Sequence, residues 1–372
     1  MADAIKNVYN RESLTVLAKG MQAVYAPFQA DAFVQSIMDE TWDSLELKGR
    51  VRQIAVNLGK FLPQDYKEAI AVIDKAIVSE GTWLNGFCIY FPDFVEVFGQ
   101  NEADWDVSIA AMARYTSYAS AEFAVRPFII NHEARMMAQM LEWSKSDSEH
   151  IRRLASEGCR PALPWGQALA RFKKDPALIL PILEQLKTDP DLYVRKSVAN
   201  NLNDISKTHP DLVVGLATKW YGKNELTDWI VKHGCRTLLK KGNPAALAIF
   251  GFQDAGAVDI TDFSINKKAV TIGDSFDFSF TLSVKKATKV RLEYAIDFVK
   301  ANGKQSRKIF QISEITLKGA EIKAYTKNHS FANLSTRKHY PGEHTITIIA
   351  NGVERGALTF ILTHPAVGSL RT

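Results

Sequence analysis

The sequence predicts an all-α solenoid of HEAT-like repeats, an α–α superhelix, followed by an all-β sandwich of the immunoglobulin-like type. Two stretches of the chain share one helical pattern, and apolar residues recur every three to four positions up to about residue 255. From residue 257 onward the apolar period falls to two. We therefore expect a helical domain over residues 1–256 and a β domain over residues 257–372.

The repeated helical unit is the clearest feature of the first domain. Ser146–Arg160 and Asp189–Asn203 align without a gap at an offset of 43 residues, and Trp229–Leu239 is a weaker third copy. The first two copies open with an acidic turn suited to capping a helix, followed by a β-branched residue, two adjacent cations and a small, apolar run. The inner helix of a HEAT-type repeat begins in this way, and stacked repeats form a solenoid with a concave face. That face would carry two cation pairs, which suits a long anionic partner.

The rest of the first domain also has a helical period. Segments with apolar residues at three- and four-residue spacing, separated by Pro, Gly or Asp, are Glu12–Tyr25, Ala32–Asp43, Leu47–Leu62, Tyr66–Ser79 and the long Ala119–Trp143. Their lengths and short connections favour stacked helix pairs over a closed bundle.

Alternating apolar residues in the C-terminal part predict strands. Ser275–Leu282, Lys289–Ile296 and His344–Ile349 have the period of two, and turn sequences such as Ala301-Asn302-Gly303 and Asn351-Gly352 separate such segments. About seven short strands of this kind are typical of an immunoglobulin-like sandwich. This part of the chain contains no cysteine, which excludes the inter-sheet disulfide of antibody domains.

The bulk composition is that of an ordinary soluble protein, with 46% hydrophobic and 23% charged residues. No apolar run approaches the ~20 residues of a membrane span, and no basic-then-apolar leader opens the chain. We therefore expect a cytoplasmic protein without a membrane partner. Three widely separated cysteines without a CxxC motif, and eight histidines without metal-ligand spacing, predict neither a disulfide framework nor a metal site, and no cofactor is expected.

Charge is distributed unevenly along the chain. Residues 1–145 carry 13 Lys/Arg against 19 Asp/Glu, residues 146–256 carry 16 against 12, and residues 257–372 carry 17 against 10. The basic excess therefore begins where the clear repeats begin. This distribution favours an anionic polymer such as a nucleic acid as partner, although a modest excess of lysine is also common on solvated surfaces.

Four blocks of the helical part resemble a known family. Leu45–Ala55 (LELKGRVRQIA), Ala121–Phe128 (AEFAVRPF), His150–Trp165 and Asp189–Ile205 look like the AlkC branch of the bacterial DNA alkylation-repair glycosylases, in order and in spacing. The resemblance covers most of residues 10–250, and the terminal sandwich resembles an extension found on some members of that branch. It implies a HEAT-like repeat protein that removes cationic N-alkylated bases, such as 3-methyladenine and 3-methylcytosine, from double-stranded DNA. A monofunctional, monomeric enzyme is expected.

The chemistry of base excision requires a carboxylate. The C1′–N bond breaks through an oxocarbenium-like transition state, and a base that already carries a positive charge leaves without a strong general acid. A carboxylate near C1′ stabilises the developing cation and orients a water molecule. Glu122, Glu157 and Asp204 lie in the family blocks. The resemblance implies that Asp204 faces the DNA and supports the attack of water. Trp165, in a loop with Pro and Gly, is the candidate for contact with the lesion or its sugar.

Basic side chains on and around the repeats are predicted to hold the DNA backbone. Contacts with phosphate fix the position of a protein without reading sequence. The predicted DNA-binding residues are Arg152, Arg153, Arg160, Lys173, Lys174, Arg195, Lys196, His233, Arg236 and Lys240. In each adjacent pair, one member is expected to form an ion pair within its repeat instead. The pairs Lys267-Lys268, Lys285-Lys286 and Arg337-Lys338 would let the sandwich contact DNA too, unless this domain is a docking or solubility appendage.

The acids also have purely structural explanations. Glu122 could pair with Arg126 one helical turn later, and Glu157 could pair with Arg153 or Arg160 on its own helix. Such pairs are common on any solvated helix.

Other features leave alternatives open as well. Asp204 could accept backbone donors near the end of a helix, and Trp165 could belong to the core. The whole chain could be a non-catalytic HEAT-repeat scaffold that binds DNA or protein, because solenoids more often bind than catalyse. If the protein is an enzyme with an open concave face, we expect the lesion to stay near the duplex instead of entering a deep pocket.

Overall fold

The computed structural model describes residues 5–79, 87–333 and 337–365. Over these residues, helices come first and strands last, which confirms the predicted fold class. The helices are α1 (Arg11–Val24), α2 (Ala30–Ile37), α3 (Leu47–Phe61), α4 (Tyr66–Ser79), α5 (Tyr90–Phe98), α6 (Trp105–Tyr115), α7 (Val125–Asn131), α8 (Glu133–Trp143), α9 (Glu149–Gly158), α10 (Ala170–Lys174), α11 (Leu180–Leu186), α12 (Leu192–Ile205), α13 (Pro210–Trp220), α14 (Glu225–Gly234), α15 (Arg236–Lys240) and α16 (Pro244–Ile249). The strands are β1 (Val258–Ile265), β2 (Ala269–Thr271), β3 (Ser275–Val284), β4 (Thr288–Val299), β5 (Gln305–Leu317), β6 (Ile322–Ser330), β7 (Gly342–Ala350) and β8 (Val353–Thr363).

Contacts within the chain divide it into two compact units. The first comprises Met1–Thr208 and Gly222–Gly234, and the second comprises His209–Tyr221 and Cys235–Thr372. The second unit therefore contains α13, α15 and α16 in addition to the strands. The domain boundary after residue 256, which would separate helices from strands, stays a prediction.

The two sequence repeats fold as equivalent helices of the first unit. Their central parts are α9 and α12, which pack against each other, and α12 packs in turn against α14, where the third copy begins. The buried face of α12 contains Val194, Val198, Leu202 and Ile205, at the spacing of an amphipathic helix. Each such side chain stabilises the fold by roughly 1.5–3 kcal/mol relative to an exposed one. Packing between repeats is therefore a main source of stability in this unit.

Both repeats begin with the same backbone turn. The N-cap residues Ser148 and Asp191 make no capping hydrogen bond through their side chains. Two positions earlier, Ser146 Oγ accepts the backbone N–H of Ser148 at 3.2 Å, and Asp189 Oδ1 accepts that of Asp191 at 2.9 Å. The polar side chains therefore shape the turn before the helix. The prediction that they cap the helix itself was wrong.

The single long helix predicted over Ala119–Trp143 is also wrong. The chain turns at residues 122–124 and then forms α7 and α8, which are divided at His132, with φ −135° and ψ 53°. Ser120 Oγ accepts the backbone N–H of Glu122 at 3.4 Å and supports the turn. Pro127 lies in the first turn of α7, where no helical hydrogen bond needs its missing N–H. Glu122 consequently lies in a turn and not on a helix.

In the second unit, α13 and α15 pack against α16, and the strands form two sheets. The first sheet has the order β1-β3-β6 and the second has the order β2-β8-β7-β4-β5. Strand β2 runs parallel to β8, whereas the other pairs are antiparallel. Two sheets with this mainly antiparallel pairing agree with the predicted sandwich.

The sandwich core follows from the alternation in the sequence. On β3 every second residue is buried, and Phe276, Phe278 and Phe280 are among these core residues. Strands β7 and β8 are joined by the two-residue loop Asn351-Gly352, with φ values of 49° and 77°. A type I′ hairpin turn needs two positive φ angles, which Asn and Gly adopt readily. This predicted turn is confirmed.

Cys88, Cys159 and Cys235 are buried, and no disulfide joins them. Among the described helices, none combines the length and the apolarity that crossing a bilayer would require. The His, Cys, Asp and Glu side chains of the described ranges form no group that could hold a metal ion.

Candidate active site

The three predicted carboxylates meet in a single chain of ion pairs within the first unit. Arg153 Nη1 lies 2.6 Å from Glu122 Oε2, and Arg153 Nη2 lies 3.6 Å from Glu157 Oε1. Arg160 Nη1 lies 2.5 Å from Glu157 Oε1, and Arg160 Nε donates to Asp204 Oδ2 at 2.9 Å. We call these five residues the acid–arginine chain. The alternative in which Glu157 pairs with Arg153 or Arg160 describes its contacts, but both arginines also reach a second carboxylate.

Helix packing brings these side chains together. Glu157 lies in the last turn of α9, and Asp204 lies in the last turn of α12, so the packing of α9 on α12 makes the two helix ends neighbours. A carboxylate at this end of a helix is disfavoured by the helix dipole. The Arg160 guanidinium between the two acids offsets that repulsion.

The acid–arginine chain is largely buried. The side chains of Glu157 and Asp204 are 7% and 2% exposed. Burial lowers the pKa of Arg160, but the carboxylates of Glu157 and Asp204 outweigh burial and hold this pKa above its usual value. Burial likewise lowers the pKa of Arg153, and Glu122 and Glu157 raise it by more. Both arginines therefore remain charged, and removing one would leave a buried carboxylate without its counter-ion, at a cost of about 3–5 kcal/mol.

A cleft of about 360 Å³ lies beside this chain. Glu122, Glu157 and Arg160 line it together with apolar side chains of α3 and with the loop that ends at Trp165. Asp204 is not a lining residue and is connected to the cleft through Arg160. The volume is in the range of small-molecule sites, about 300–1,000 Å³.

Trp165 is held in an unfavourable backbone conformation that exposes its indole. Its φ of 61° lies in the left-handed region, which costs an L-residue roughly 1–2 kcal/mol. The Trp165 carbonyl accepts a hydrogen bond from Lys48 Nζ at 3.1 Å, and the N–H of Gly166 donates to the Leu163 carbonyl at 3.1 Å. The Trp165 side chain is 70% exposed, so the alternative that it belongs to the core is wrong.

Arg126 fixes the loop that carries Arg160 and Trp165. It is 1% exposed, and it donates to the carbonyls of Gly158 at 2.8 Å, of Arg160 at 3.0 Å, and of Gln167. Burial lowers the pKa of Arg126 to about 10, which leaves it charged at neutral pH. The structural alternative in which Arg126 pairs with Glu122 is wrong, because the turn at residues 122–124 separates the two side chains. Arg126 instead joins the start of α7 to both ends of the 158–167 loop.

Arg152 and Arg195, two of the predicted DNA-binding residues, donate hydrogen bonds to backbone carbonyls at the start of their own repeats. Arg152 Nη1 donates to the first two carbonyls of its repeat at 3.0 and 2.8 Å, and Arg195 Nη1 donates to the equivalent carbonyls of the next repeat at 2.8 and 2.6 Å. Arg152 also pairs with Asp189 and with Asp191, each at 2.6 Å, and is 13% exposed. Both Arg152 and Arg153 are thus bound to carboxylates. Arg153 forms the ion pair within its own repeat that was expected of one member, through Glu157, and DNA binding by Arg152 stays a prediction.

The other predicted cations lie at several places. Lys173 and Lys174 at the end of α10, Lys196 on α12 and Lys240 on α15 are exposed. His233 on α14 stacks on Trp229 with ring centres 5.2 Å apart. Arg236 and Lys240 belong to the second unit. Of the predicted DNA-binding residues, Arg153 and Arg160 are the members of the acid–arginine chain.

Two polar residues of the cleft were missed by sequence reasoning. Lys48 Nζ lies 4.8 Å from the centre of the Phe123 ring and donates to Trp165. Asp93 lies on α5 among aromatic residues and is 7% exposed. Nothing in the sequence indicated a role for Lys48 beyond its place in a family block. Asp93 could have been noticed, because it is an acid inside an apolar helical run, and such an acid is rarely buried without a partner.

The arrangement of these side chains can stabilise a positive charge in the cleft. Its carboxylates lie beside a cleft with apolar walls, where electrostatic interactions are stronger than in water. Because the arginines fix these carboxylates in advance, little reorganisation is needed when a cation forms nearby. The exposed indole offers a flat surface on which a base or a sugar could pack.

Comparisons with known proteins agree with this description. Residues 93–238 match the family described as DNA alkylation repair enzyme, and residues 259–364 match the C-terminal Ig-like domain of the uncharacterised protein YhaZ. The uncharacterized protein YhaZ of Bacillus subtilis (strain 168) is 47% identical over 361 residues, which are 97% of this chain and 99% of that protein. The alkylpurine DNA glycosylase AlkC of Pseudomonas fluorescens, solved bound to DNA containing an abasic site analog, is 35% identical. It covers 97% of this chain and 100% of its own, with a TM-score of 0.91.

Helical repeats, an acid-lined cleft and a terminal sandwich together define a DNA alkylation repair protein. Both relatives match this chain almost from end to end. The chain belongs to the AlkC family, in the form that carries a C-terminal immunoglobulin-like domain. The predicted family is confirmed.

Proposed function

We propose that this protein is a DNA glycosylase that hydrolyses the N-glycosidic bond of cationic N-alkylated bases, with 3-methyladenine and 3-methylcytosine as substrates. The observation that carries the proposal is the acid–arginine chain beside the cleft. The alkylation-repair family and the similarity to an alkylpurine DNA glycosylase solved on DNA support it. The partner is double-stranded DNA that contains an alkylated base, and the enzyme acts without a cofactor.

In this mechanism Glu122 and Glu157 face the sugar of the damaged nucleotide. Both line the cleft, and their negative charge stabilises the oxocarbenium ion as the bond to the base breaks. The alkylated base is positively charged before the reaction and neutral after it. No acid is therefore needed to protonate the leaving group, and no lysine Schiff base is involved.

Asp204 supports the attack of water. Its Oδ2 accepts from Arg160, and its Oδ1 is 2.8 Å from Lys207 Nζ. The Lys207 side chain is 48% exposed, whereas the Asp204 side chain is buried and keeps Arg160 as its counter-ion through Oδ2. Displacement of Lys207 by a water molecule leaves Oδ1 as the acceptor that orients the nucleophile.

The DNA duplex is held by the exposed basic side chains. Lys173, Lys174 and Lys196 contact phosphates, while Trp165 packs on the sugar or on a neighbouring base. These contacts read no base sequence, which suits an enzyme that must act at any alkylated position.

A base-release assay tests the function. Pure protein is incubated with a duplex that contains 3-methyladenine, and the free base is quantified by chromatography. We expect enzymatic release, and Glu157→Gln, Glu122→Gln and Asp204→Asn should each slow it about 10²–10³-fold, because preorganised charge at the transition state is lost. Binding to a duplex with an abasic site analog should persist in these variants.

Glu142→Gln is the matched control, because Glu142 is an exposed carboxylate outside the cleft that pairs with Lys145. This variant should retain the full rate. Tight DNA binding by the unmodified protein without any base release would favour the non-catalytic scaffold and overturn the proposal.

A further inference from the structure

Asn201 is a buried asparagine where α12 packs against α9, and it is 0% exposed. Its Nδ2 donates to the Ser156 carbonyl at 2.9 Å and to Cys159 Sγ at 3.6 Å. Ser156 immediately precedes Glu157 in the chain, and Asp204 follows Asn201 by three residues. The amide therefore joins the two helices about one helical turn from the carboxylates of the acid–arginine chain.

The acceptor of this hydrogen bond is a carbonyl at the end of a helix. The last four carbonyls of an α-helix have no partner within the helix, and α9 ends at Gly158. Arg126 donates to the Gly158 carbonyl, and Asn201 donates to the carbonyl of Ser156. Side chains of α7 and α12 thus fix the end of α9, which carries Glu157.

Stability explains an asparagine at this position poorly. Asn201 Oδ1 is buried, and among the described residues no donor forms a hydrogen bond to it, which destabilises the fold. The Ser156 carbonyl does not depend on the amide for a partner, because it also accepts the Cys159 thiol at 3.4 Å. That thiol follows α9 directly and joins nothing to α12. The distinctive effect of the amide is the connection between the helices.

The repeat pattern also distinguishes Asn201. The 43-residue offset aligns it with Gly158, and the weaker third copy has Gly234 at this position. Glycine has no side chain with which to reach another helix. Among the three copies, this connection is therefore found on α12, the helix that carries Asp204.

We propose that Asn201 is a positioning residue of the active site: by joining α12 to the last turn of α9, it sets the separation of Glu157 and Asp204. This inference rests on the proposed glycosylase function. Arg160 binds both carboxylates, at 2.5 Å and 2.9 Å, and can do so only while the two helix ends keep this separation. The carboxylates repel each other, and the amide opposes their displacement. A shift of about 1 Å can slow a reaction about 10²-fold.

The test compares Asn201→Leu with the unmodified protein on a duplex that contains 3-methyladenine. Leucine is similar in size to asparagine but cannot donate to the Ser156 carbonyl. Single-turnover release at increasing protein concentration separates the maximal rate constant from the concentration that gives half of it. We expect the rate constant to fall about 10–100-fold and the half-maximal concentration to change by less than about threefold, because Asn201 is buried away from DNA. Urea unfolding identifies a temperature at which both proteins are folded.

Asn201→Asp provides a readout that a purely structural role would not change. The introduced carboxyl group has the shape of the amide, but it donates to the Ser156 carbonyl only when it is protonated. Burial raises the pKa of a carboxyl group, so the rate of Asn201→Asp relative to the unmodified protein should rise as the pH is lowered from about 8 to about 6. A structural defect would leave this ratio constant while both proteins are folded.

Ser197→Ala is the control, because Ser197 is buried one turn earlier on α12 and its Oγ forms no hydrogen bond with the described residues. This variant should retain the full rate. A folded Asn201→Leu variant with the rate constant of the unmodified protein would overturn the inference, and so would a constant ratio below one for Asn201→Asp. Absence of base release by the unmodified protein would instead overturn the proposed glycosylase function.

Discussion

Three buried arginines of the first unit have different structural roles, and the groups that each side chain contacts determine its role. Arg126 donates to carbonyls and fixes a loop, and Arg152 joins one repeat to the next. Arg160 separates two carboxylates that would otherwise repel each other. All three are largely buried, so their removal affects more than a surface charge.

Arg152→Ala is expected to destabilise the protein. It leaves Asp189, whose side chain is 3% exposed, without its counter-ion, so we expect the free energy of unfolding to fall by roughly 2–4 kcal/mol. Lys196→Ala is the comparison, because Lys196 is exposed. Lys196→Ala should change the free energy of unfolding by less than about 0.5 kcal/mol. It should reduce the slope of log K against log salt concentration by about the amount that one phosphate contact contributes. Urea unfolding and binding titrations at several salt concentrations measure both. Weaker DNA binding by a fully stable Arg152→Ala variant would contradict this assignment.

The sequence identified the acids more reliably than their partners. Glu157 and Asp204 could be singled out because both lie in the family blocks, although the 43-residue offset aligns Glu157 with Asn200 and not with Asp204. The partner of Glu122 could not, since the spacing to Arg126 suggests a helical pair and the period does not reveal the turn at residues 122–124. Contacts between distant segments, such as Arg152 with Asp189, have no local signal at all.

At the scale of elements, the loop after α9 stores strain where the chemistry is proposed. Arg126 and Lys48 donate hydrogen bonds to carbonyls of this loop. The exposed Trp165 has a left-handed backbone conformation, which is unfavourable for a residue with a side chain. Strain of this kind persists only where the surroundings impose it, and it is frequent at functional sites.

Replacing Trp165 should separate strain from function. Glycine adopts positive φ without penalty and alanine does not, so Trp165→Gly is expected to be more stable than Trp165→Ala by about 1 kcal/mol. Both variants lose the indole, so both should excise 3-methyladenine about tenfold or more slowly. Thermal unfolding and base release measure the two effects. A Trp165→Ala variant that keeps the full rate would remove Trp165 from the site.

At the scale of the whole molecule, the change of hydrophobic period predicted the order of helices and strands. The 43-residue offset identified α9 and α12 as equivalent helices before their packing was known. The grouping of α13, α15 and α16 with the strands could not be predicted. The period of apolar residues in a sequence indicates which face of a helix or strand is buried. It does not indicate which neighbouring element covers that face.

The sandwich contains a cluster of histidines that the proposed chemistry does not use. His329, His339 and His344 pack among Phe298 and Phe331. Burial, together with the nearby Arg337 and His339, lowers the pKa of His329 to about 4. The pKa values of His339 and His344 are lowered mainly by burial as well. These rings are therefore neutral in the folded protein at neutral pH.

The stability of the sandwich should consequently fall in mild acid. The unfolded chain binds a proton at His329 near pH 6.5, whereas the folded chain does so near pH 4, so stability decreases as pH falls between these values. The full difference for His329 is about 3 kcal/mol. His329→Phe should flatten this dependence by removing the titrating group, and His364→Gln, at an exposed histidine, should not. Hydrogen exchange in peptides of β4 and β7 at pH 7 and pH 5 measures it. An unchanged pH dependence in His329→Phe would show that the loss of stability has its origin elsewhere.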